Sequence, residues 1–211
     1  MIFHDVEQNT DEWMQLRCGK LTSSKLGVIM ANYGKAFGEP AKKYAVELAI
    51  EQITGQKIES AYSNEHMERG HEQEPLARML YEEDTFSAVD NGGFFCSDLI
   101  GCSPDGLVSD DGVIEIKSVI PSVHFANVKR CAVDPSYKWQ CVGNLMFTGR
   151  KWLDFVSYCD NYPDGKKLFI FRIYAEKLTE EFKMIGERSE EFRMLVDSTK
   201  KQMLSANYFN Y

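Results

Sequence analysis

The chain has 211 residues and 44% of them are hydrophobic, which excludes a disordered or fibrous polypeptide and fits one domain over residues 1–211. No apolar run is long enough to cross a membrane, and the first residues lack the basic and apolar regions of a secretory signal. Six scattered cysteines without a C-x-x-C pair disfavour zinc or disulfide chemistry. We therefore expect a cytoplasmic protein with reduced thiols and no membrane partner.

The net charge of −8 is distributed unevenly along the chain. Residues 59–84 and 85–120 carry net charges of −6 and −5, whereas residues 121–151 carry +4. Solvated surface explains such charge runs in most proteins. The alternative is a carboxylate-lined metal site beside a basic groove, because a divalent cation reverses the electrostatics of an acidic cluster.

The first 85 residues have the patterns of helices. Capping residues precede two short apolar segments, and longer stretches show apolar side chains at helical spacing. Pro75 lies within the last of these stretches, where it either begins the helix or kinks it. The predicted helices are a short one from residue 10, one over 25–30, and longer ones over 40–54 and 64–83.

From residue 86 the hydrophobic period changes to that of strands, and helices then alternate with strands. This order predicts an α/β sandwich with a mixed central sheet flanked by helices. The predicted strands are 94–96, 99–102, 113–116, 152–158 and 168–174, with helices over 123–131 and 136–148 and an amphipathic C-terminal helix over 176–204.

Residues 101–118 contain the sequences Ser-Pro-Asp-Gly and Asp-Asp-Gly, which by themselves indicate only turns. They also predict a hairpin. If residues 110–112 form a three-residue loop with Gly112 in the left-handed conformation, Ser109 pairs with Val113.

That register brings two carboxylates together. It places Asp105 opposite Lys117, and Glu115 opposite Leu107, so that Glu115 is diagonal to Asp105. Diagonal neighbours lie about 7–8 Å apart at Cα. Two carboxylates at that separation can share one Mg²⁺ at about 2.1 Å from each oxygen.

Strand alternation separates the polar and apolar residues of the second strand of this hairpin. Ile114 and Ile116 point into the core, while Glu115 and Lys117 share the other face. A carboxylate and an ammonium group directed at a metal-bound water make a hydrolytic site. The pattern therefore predicts metal-assisted hydrolysis.

Through Asp105, Glu115 and Lys117, the sequence resembles the PD-(D/E)xK nuclease superfamily. Within it, the sequence resembles the phage lambda exonuclease and YqaJ-type viral recombinase family. The likeness covers most of residues 10–160, and four ordered matches are more specific than any one of them. The matching motifs are W-x-x-L-R-x-G-x-L-T-S-S over residues 13–24, G-x-x-x-E-P-x-A-R over 70–78, the core C-S-P-D-G-L over 102–107 with V-I-E-I-K over 113–117, and Y-K-W-Q-C-V-G over 137–143.

The resemblance implies a metal site of oxygen ligands. Asp105 and Glu115 would bind the metal together with the backbone carbonyl of Ile116. Glu74 would complete the acidic site from its helix, through water or a second ion. The implied cofactor is Mg²⁺, with Mn²⁺ as an alternative, and a two-ion arrangement fits phosphodiester hydrolysis.

The resemblance also implies roles for four other side chains. Lys117 would orient or deprotonate the attacking water, and Gln140 would hold that water or the scissile phosphate. Arg17, as a planar donor, and Ser24 would bind the terminal 5′-phosphate of DNA.

Each of these residues has an ordinary structural alternative. Glu74 has the pattern of a surface helix acid. Arg17 could pair with Asp11 or Glu12 on its own helix. Ser24 is equally suited to cap a helix, and Gln140 to face solvent.

The implied activity is a 5′-to-3′ double-strand DNA exonuclease of phage or prophage origin, which leaves a 3′ single strand for an annealing protein. A PD-(D/E)xK endonuclease and a catalytically silent DNA-end-binding module are the alternatives. The resemblance further implies a ring-shaped homotrimer with the basic segment facing a DNA channel. The channel candidates are Lys129, Arg130 and Lys138.

Overall fold

A computed structural model describes residues 1–58 and 65–205 of the chain. The predicted helices are all present within these ranges, although residue 64 lies outside the described residues. Pro75 lies inside its helix and does not begin it. The helices are α1 Asp11–Arg17, α2 Leu26–Met30, α3 Glu39–Thr54, α4 Glu65–Thr85, α5 Pro121–Arg130, α6 Lys138–Thr148 and α7 Thr179–Ser205.

The strands form two mixed sheets where the sequence predicted one central sheet. One sheet has the order β1-β4-β5-β2 and the other has the order β3-β6-β7-β8-β9. β2 and β5 are parallel, as are β7 and β8, while the other neighbours are antiparallel. The strands are β1 Ile2–His4, β2 Leu21–Thr22, β3 Val89–Asp90, β4 Phe94–Cys96, β5 Ile100–Cys102, β6 Gly106–Val108, β7 Gly112–Ser118, β8 Trp152–Tyr158 and β9 Leu168–Tyr174.

The chain passes from one sheet to the other between β5 and β6, at residues 103–105. Pro104 has no N–H group with which to continue a ladder. Its carbonyl instead accepts a hydrogen bond of 2.8 Å from the Gln8 side chain. A Cβ atom at Gly92 would lie 1.8 Å from the same carbonyl oxygen, so only glycine permits this approach. The short crossing segment is therefore fixed from two sides.

The register predicted for the β6–β7 hairpin is wrong by two residues. Leu107 pairs with Val113, and Val108 pairs with Gly112, so the loop comprises residues 109–111. Ser109 has the positive φ, 48°, that was assigned to Gly112. Gly112 is required for another reason, because a Cβ atom there would lie 2.1 Å from the Trp152 ring.

The correction changes the neighbours of Asp105, which lies beside Glu115 and not opposite Lys117. The Asp105 amide donates to the Ile114 carbonyl at 3.1 Å. Its carboxylate accepts from the Ile116 amide at 2.6 Å. Asp105 is therefore bonded to the residues on both sides of Glu115. Since a shift of two residues preserves strand alternation, the predicted faces of β7 are unchanged.

β7 is covered by helices on both faces. Ile114 and Ile116 pack with Ala77 and Tyr81 of α4 in one apolar cluster. Val113 belongs to the larger cluster, which includes residues of α2, α3, α6 and α7. The strand is therefore held between α4 and α6, the helices that carry Glu74 and Gln140.

No helix in the described ranges is long and apolar enough to cross a membrane.

Candidate active site

A cleft of about 700 Å³ opens where β7 meets α4, α6 and the N-terminal segment. It brings together residues from four separate motifs of the sequence. Glu115 lies behind the cleft wall with none of its surface exposed. The predicted site residues that line the cleft are Arg17, Ser24, Glu74, Asp105, Ile116, Lys117 and Gln140.

The Glu115 carboxylate is held by three side chains. Its Oε1 accepts from Gln140 Nε2 at 2.5 Å and lies 2.5 Å from Lys117 Nζ. Its Oε2 accepts from Asn144 Nδ2 at 2.6 Å. Sequence reasoning missed Asn144. It lies four residues after Gln140 on α6, and this spacing places two side chains on one helix face. The spacing was therefore the signal in the sequence that Asn144 accompanies Gln140.

Gln140 therefore has a different contact from the one expected. Its amide donates to the Glu115 carboxylate, where the sequence predicted a water or a phosphate as its partner. Because Gln140 also lines the cleft, its side chain connects the buried carboxylate to the open space.

Burial and the charge of Asp105 raise the pKa values of the two glutamates near the cleft. Burial, followed by the charge of Asp105, raises the pKa of Glu115 to about 8. The same two causes raise the pKa of Glu74 to about 7. Burial opposes the charge on Lys117, but the nearby Glu115 and Asp105 carboxylates prevail and raise the pKa of its ammonium group. One ammonium group thus faces three crowded carboxyl groups, and the site favours additional positive charge.

The donor set fits a hard divalent cation. Asp105, Glu115 and the Ile116 carbonyl offer only oxygen atoms, the ligands that Mg²⁺ and Mn²⁺ prefer. Within residues 1–58 and 65–205, no three His, Cys, Asp or Glu side chains converge on a point that could hold an ion. Lys117 Nζ supplies the positive charge next to Glu115 in this arrangement.

Arg17 lies at another part of the cleft and does not pair with Asp11 or Glu12. Its guanidinium stacks over the Trp13 ring at 4.0 Å and donates to Ser103 Oγ at 3.3 Å. Trp13 Nε1 donates to the same hydroxyl at 2.8 Å. Burial lowers the pKa of Arg17 to about 10, which leaves the group charged at neutral pH.

Ser24 is exposed in a single 3₁₀ turn, Ser23–Lys25, that leads into α2. Its hydroxyl lies 3.2 Å from Thr22 Oγ1. Ser23 and Ser24 border the same cleft as Arg17.

The three channel candidates do not line this cleft. Lys129 is exposed at the end of α5. Arg130 donates to Asn127 at 2.9 Å and lies 3.8 Å from Asp134. Lys138 lies 3.1 Å from Glu181 of α7. All three lie outside the cleft, and the charges of Arg130 and Lys138 are partly neutralised by these acids.

Comparisons with known proteins agree with this architecture. The family model of the YqaJ-like viral recombinase domain matches residues 12–151, and the chain belongs to this family. The resemblance stated from the sequence motifs is thereby confirmed. No curated protein sequence matches the chain.

The solved structures that are similar to the chain include three of exonucleases. An alkaline exonuclease (LHK-Exo) from Laribacter hongkongensis is 32% identical, with a TM-score of 0.77 over 92% of this chain and 98% of that one. The structure of LHK-Exo in complex with dAMP has the same identity and coverage and a TM-score of 0.78. A phage related exonuclease from Haemophilus somnus 129PT is 17% identical, with a TM-score of 0.70 over 90% and 99% of the two chains, and shows the fold alone. The predicted α/β nuclease-like fold is confirmed.

Proposed function

We propose that this protein is a metal-dependent exonuclease that hydrolyses double-stranded DNA from its 5′ ends. The observation that carries the proposal is the single cleft in which Glu74, Asp105 and Lys117 lie together with Arg17 and Ser24. Membership of the viral recombinase family and the 32% identity to an alkaline exonuclease support nuclease activity. The product would be a 3′ single strand suited to an annealing protein.

The proposed cofactor is Mg²⁺, replaceable by Mn²⁺, with two ions in the working site. Asp105, Glu115 and the Ile116 carbonyl would hold the first, and Glu74 would contribute to the second. When bound, the metal supplies charge stabilisation to the reacting phosphate and lowers the pKa of the attacking water.

The chain's own residues prepare the reaction around that ion. Lys117 shares a face of β7 with Glu115 and opens onto the cleft, so its ammonium group can orient the attacking water and stabilise charge developing on the phosphate. Gln140 and Asn144 hold the Glu115 carboxylate in one orientation. Asp105 is held by the amide of Ile116. The acidic groups are therefore positioned before substrate binds.

End recognition is assigned to Arg17 and Ser24. The guanidinium is immobilised by Trp13 and Ser103, and it presents a planar donor to the cleft. A terminal phosphate carries more negative charge than an internal phosphodiester, so a cation here favours chain ends. An endonuclease, the second candidate from the sequence, would have no use for this pair.

The test compares two forms of one duplex in the presence of Mg²⁺: a linear duplex with free ends, and the same duplex with both ends closed by covalent hairpins. We expect digestion of the free-ended duplex and survival of the closed one. Cleavage of both would establish an endonuclease. Survival of both, with binding to the free ends, would establish a silent end-binding module.

A further inference from the structure

Arg69, on the first turns of α4, is a cleft-lining cation to which neither the motifs nor the proposed mechanism assigns a role. Its Nη2 donates to the Ser118 carbonyl at 3.3 Å. Its Nε is buried and has no hydrogen-bond acceptor.

A buried guanidinium N–H group without an acceptor is costly, because it has lost its hydration without gaining a hydrogen bond. Guanidinium groups bind phosphate through two parallel N–H donors, so the chemistry that would complete this group is that of a phosphate. The contact to Ser118 uses one Nη2 donor and Nε is buried, so the remaining Nη donors are the ones available to such a ligand.

Arg69 and Arg17 are anchored to different segments of the chain. Arg17 donates to Ser103, two residues before Asp105. Arg69 donates to Ser118, the residue after Lys117. Both arginines border the same cleft as Glu74, Asp105 and Lys117.

We infer that Arg69 binds a backbone phosphate of the DNA strand within the cleft, so that the strand is held at a second guanidinium besides the one at its end. This inference rests on the proposed function, because it takes DNA as the occupant of the cleft. It adds a substrate-binding residue whose loss weakens binding to any sequence, since a phosphate contact carries no base information.

A purely structural role is the competing explanation, because the same contact ties α4 to the end of β7. The chain offers a matched control. Ser118 Oγ donates to the Gln73 side chain, a second tie between α4 and this residue that carries no charge. A change at Gln73 therefore weakens the same junction without removing a cation.

The experiment measures duplex affinity over a series of KCl concentrations, in the full chain carrying Lys117→Ala so that substrate is not consumed. Each lost phosphate contact lowers the slope of log K against log salt by about 0.9 on duplex DNA and about 0.7 on a single strand. We expect Arg69→Gln to lower the slope by that amount, and Gln73→Ala to leave it unchanged. Arg69→Lys should keep the slope but weaken affinity, because a point charge replaces the planar donor.

An unchanged slope in a folded Arg69→Gln variant would overturn the inference while leaving the proposed function intact. An equal loss of slope in Gln73→Ala would do the same, by showing that the junction and not the charge is responsible. Failure of the parent protein to bind DNA in a salt-dependent manner would overturn both the inference and the proposed function. Melting temperatures establish that each variant is folded.

Discussion

Lys117 Nζ lies 2.5 Å from the Oε1 atom of Glu115, which is fully buried. The two residues are separated by one position on β7, so strand alternation alone places them on the same face. The ammonium group proposed to orient water is therefore in direct contact with a carboxylate proposed to bind metal. A substitution of either residue changes the electrostatic environment of the other.

The first prediction concerns Lys117. Lys117→Ala should reduce kcat by more than tenfold while duplex binding is retained, because the change removes the group that orients water and not a metal ligand. The fold should survive, since the raised pKa of Glu115, about 8, allows that carboxyl to take up a proton when its partner is gone. Lys167→Ala is the control, because Lys167 pairs with Asp160 outside the cleft. Activity of Lys117→Ala within tenfold of wild type would show that the assignment is wrong.

The second prediction concerns Asn144, the residue that sequence reasoning missed. Asn144→Ala should lower metal affinity or kcat by about 10- to 100-fold, the usual effect of removing a hydrogen-bond donor that orients a metal ligand. The variant is titrated with Mg²⁺ and the activity at saturation is compared with wild type. Thr148→Ala, four residues further along the same helix, is the control because its hydroxyl bonds only to backbone groups, namely the carbonyls of Asn144 and Leu145 and the amide of Arg150. Equal metal dependence in Asn144→Ala and wild type would contradict the role.

The third prediction concerns end recognition. Wild-type protein should digest a 5′-phosphorylated duplex faster than a 5′-hydroxyl one, and Arg17→Ala should lose most of this preference. The physical reason is that Arg17 offers a fixed planar donor to the extra charge of the terminal phosphate. Initial rates on the two substrates provide the measurement. Equal wild-type rates on the two substrates would show that Arg17 does not recognise the 5′-phosphate.

The fourth prediction concerns assembly. The chain is acidic overall, and Lys129, Arg130 and Lys138 alone would hold DNA through contacts that salt screens. A closed ring would collect three such surfaces around the duplex, so we expect a homotrimer of roughly three times the 24.2 kDa chain mass by light scattering. Digestion should continue when excess competitor DNA is added after initiation. Lys129→Glu should reduce the number of nucleotides removed in one binding event. A monomeric mass with immediate quenching by competitor would exclude the ring without affecting the nuclease assignment.

Most elements of the fold were predictable because they depend on local patterns. The strands 152–158 and 168–174 are found with the predicted bounds, and the amphipathic pattern over 176–204 corresponds to α7 Thr179–Ser205. The division into two sheets was not predictable in this way. It depends on the close contact of Gly92 with Pro104 and on the bond from Gln8, which join residues far apart in the sequence.

The hairpin register shows the limit of turn rules. The sequence Asp-Asp-Gly favours a left-handed glycine at the end of the loop. Here Gly112 is required by the ring of Trp152 on the neighbouring strand, so Ser109 takes the positive φ. That tertiary contact is invisible to a local rule. The motifs nevertheless bring Arg17, Glu74 and Lys117 to one cleft, because each motif fixes which face of its element the side chain occupies. Their roles remain predictions.

The central claim is that the carboxylates and Lys117 form a metal-dependent hydrolytic site. Its most direct test is digestion of a free-ended, 5′-phosphorylated duplex by the wild-type protein, before and after removal of divalent metal by chelation. We predict release of nucleotides with Mg²⁺, complete loss of that release after chelation, and recovery when Mg²⁺ or Mn²⁺ is restored. Undiminished digestion in the chelated sample, or no digestion under any of these conditions, would contradict the account.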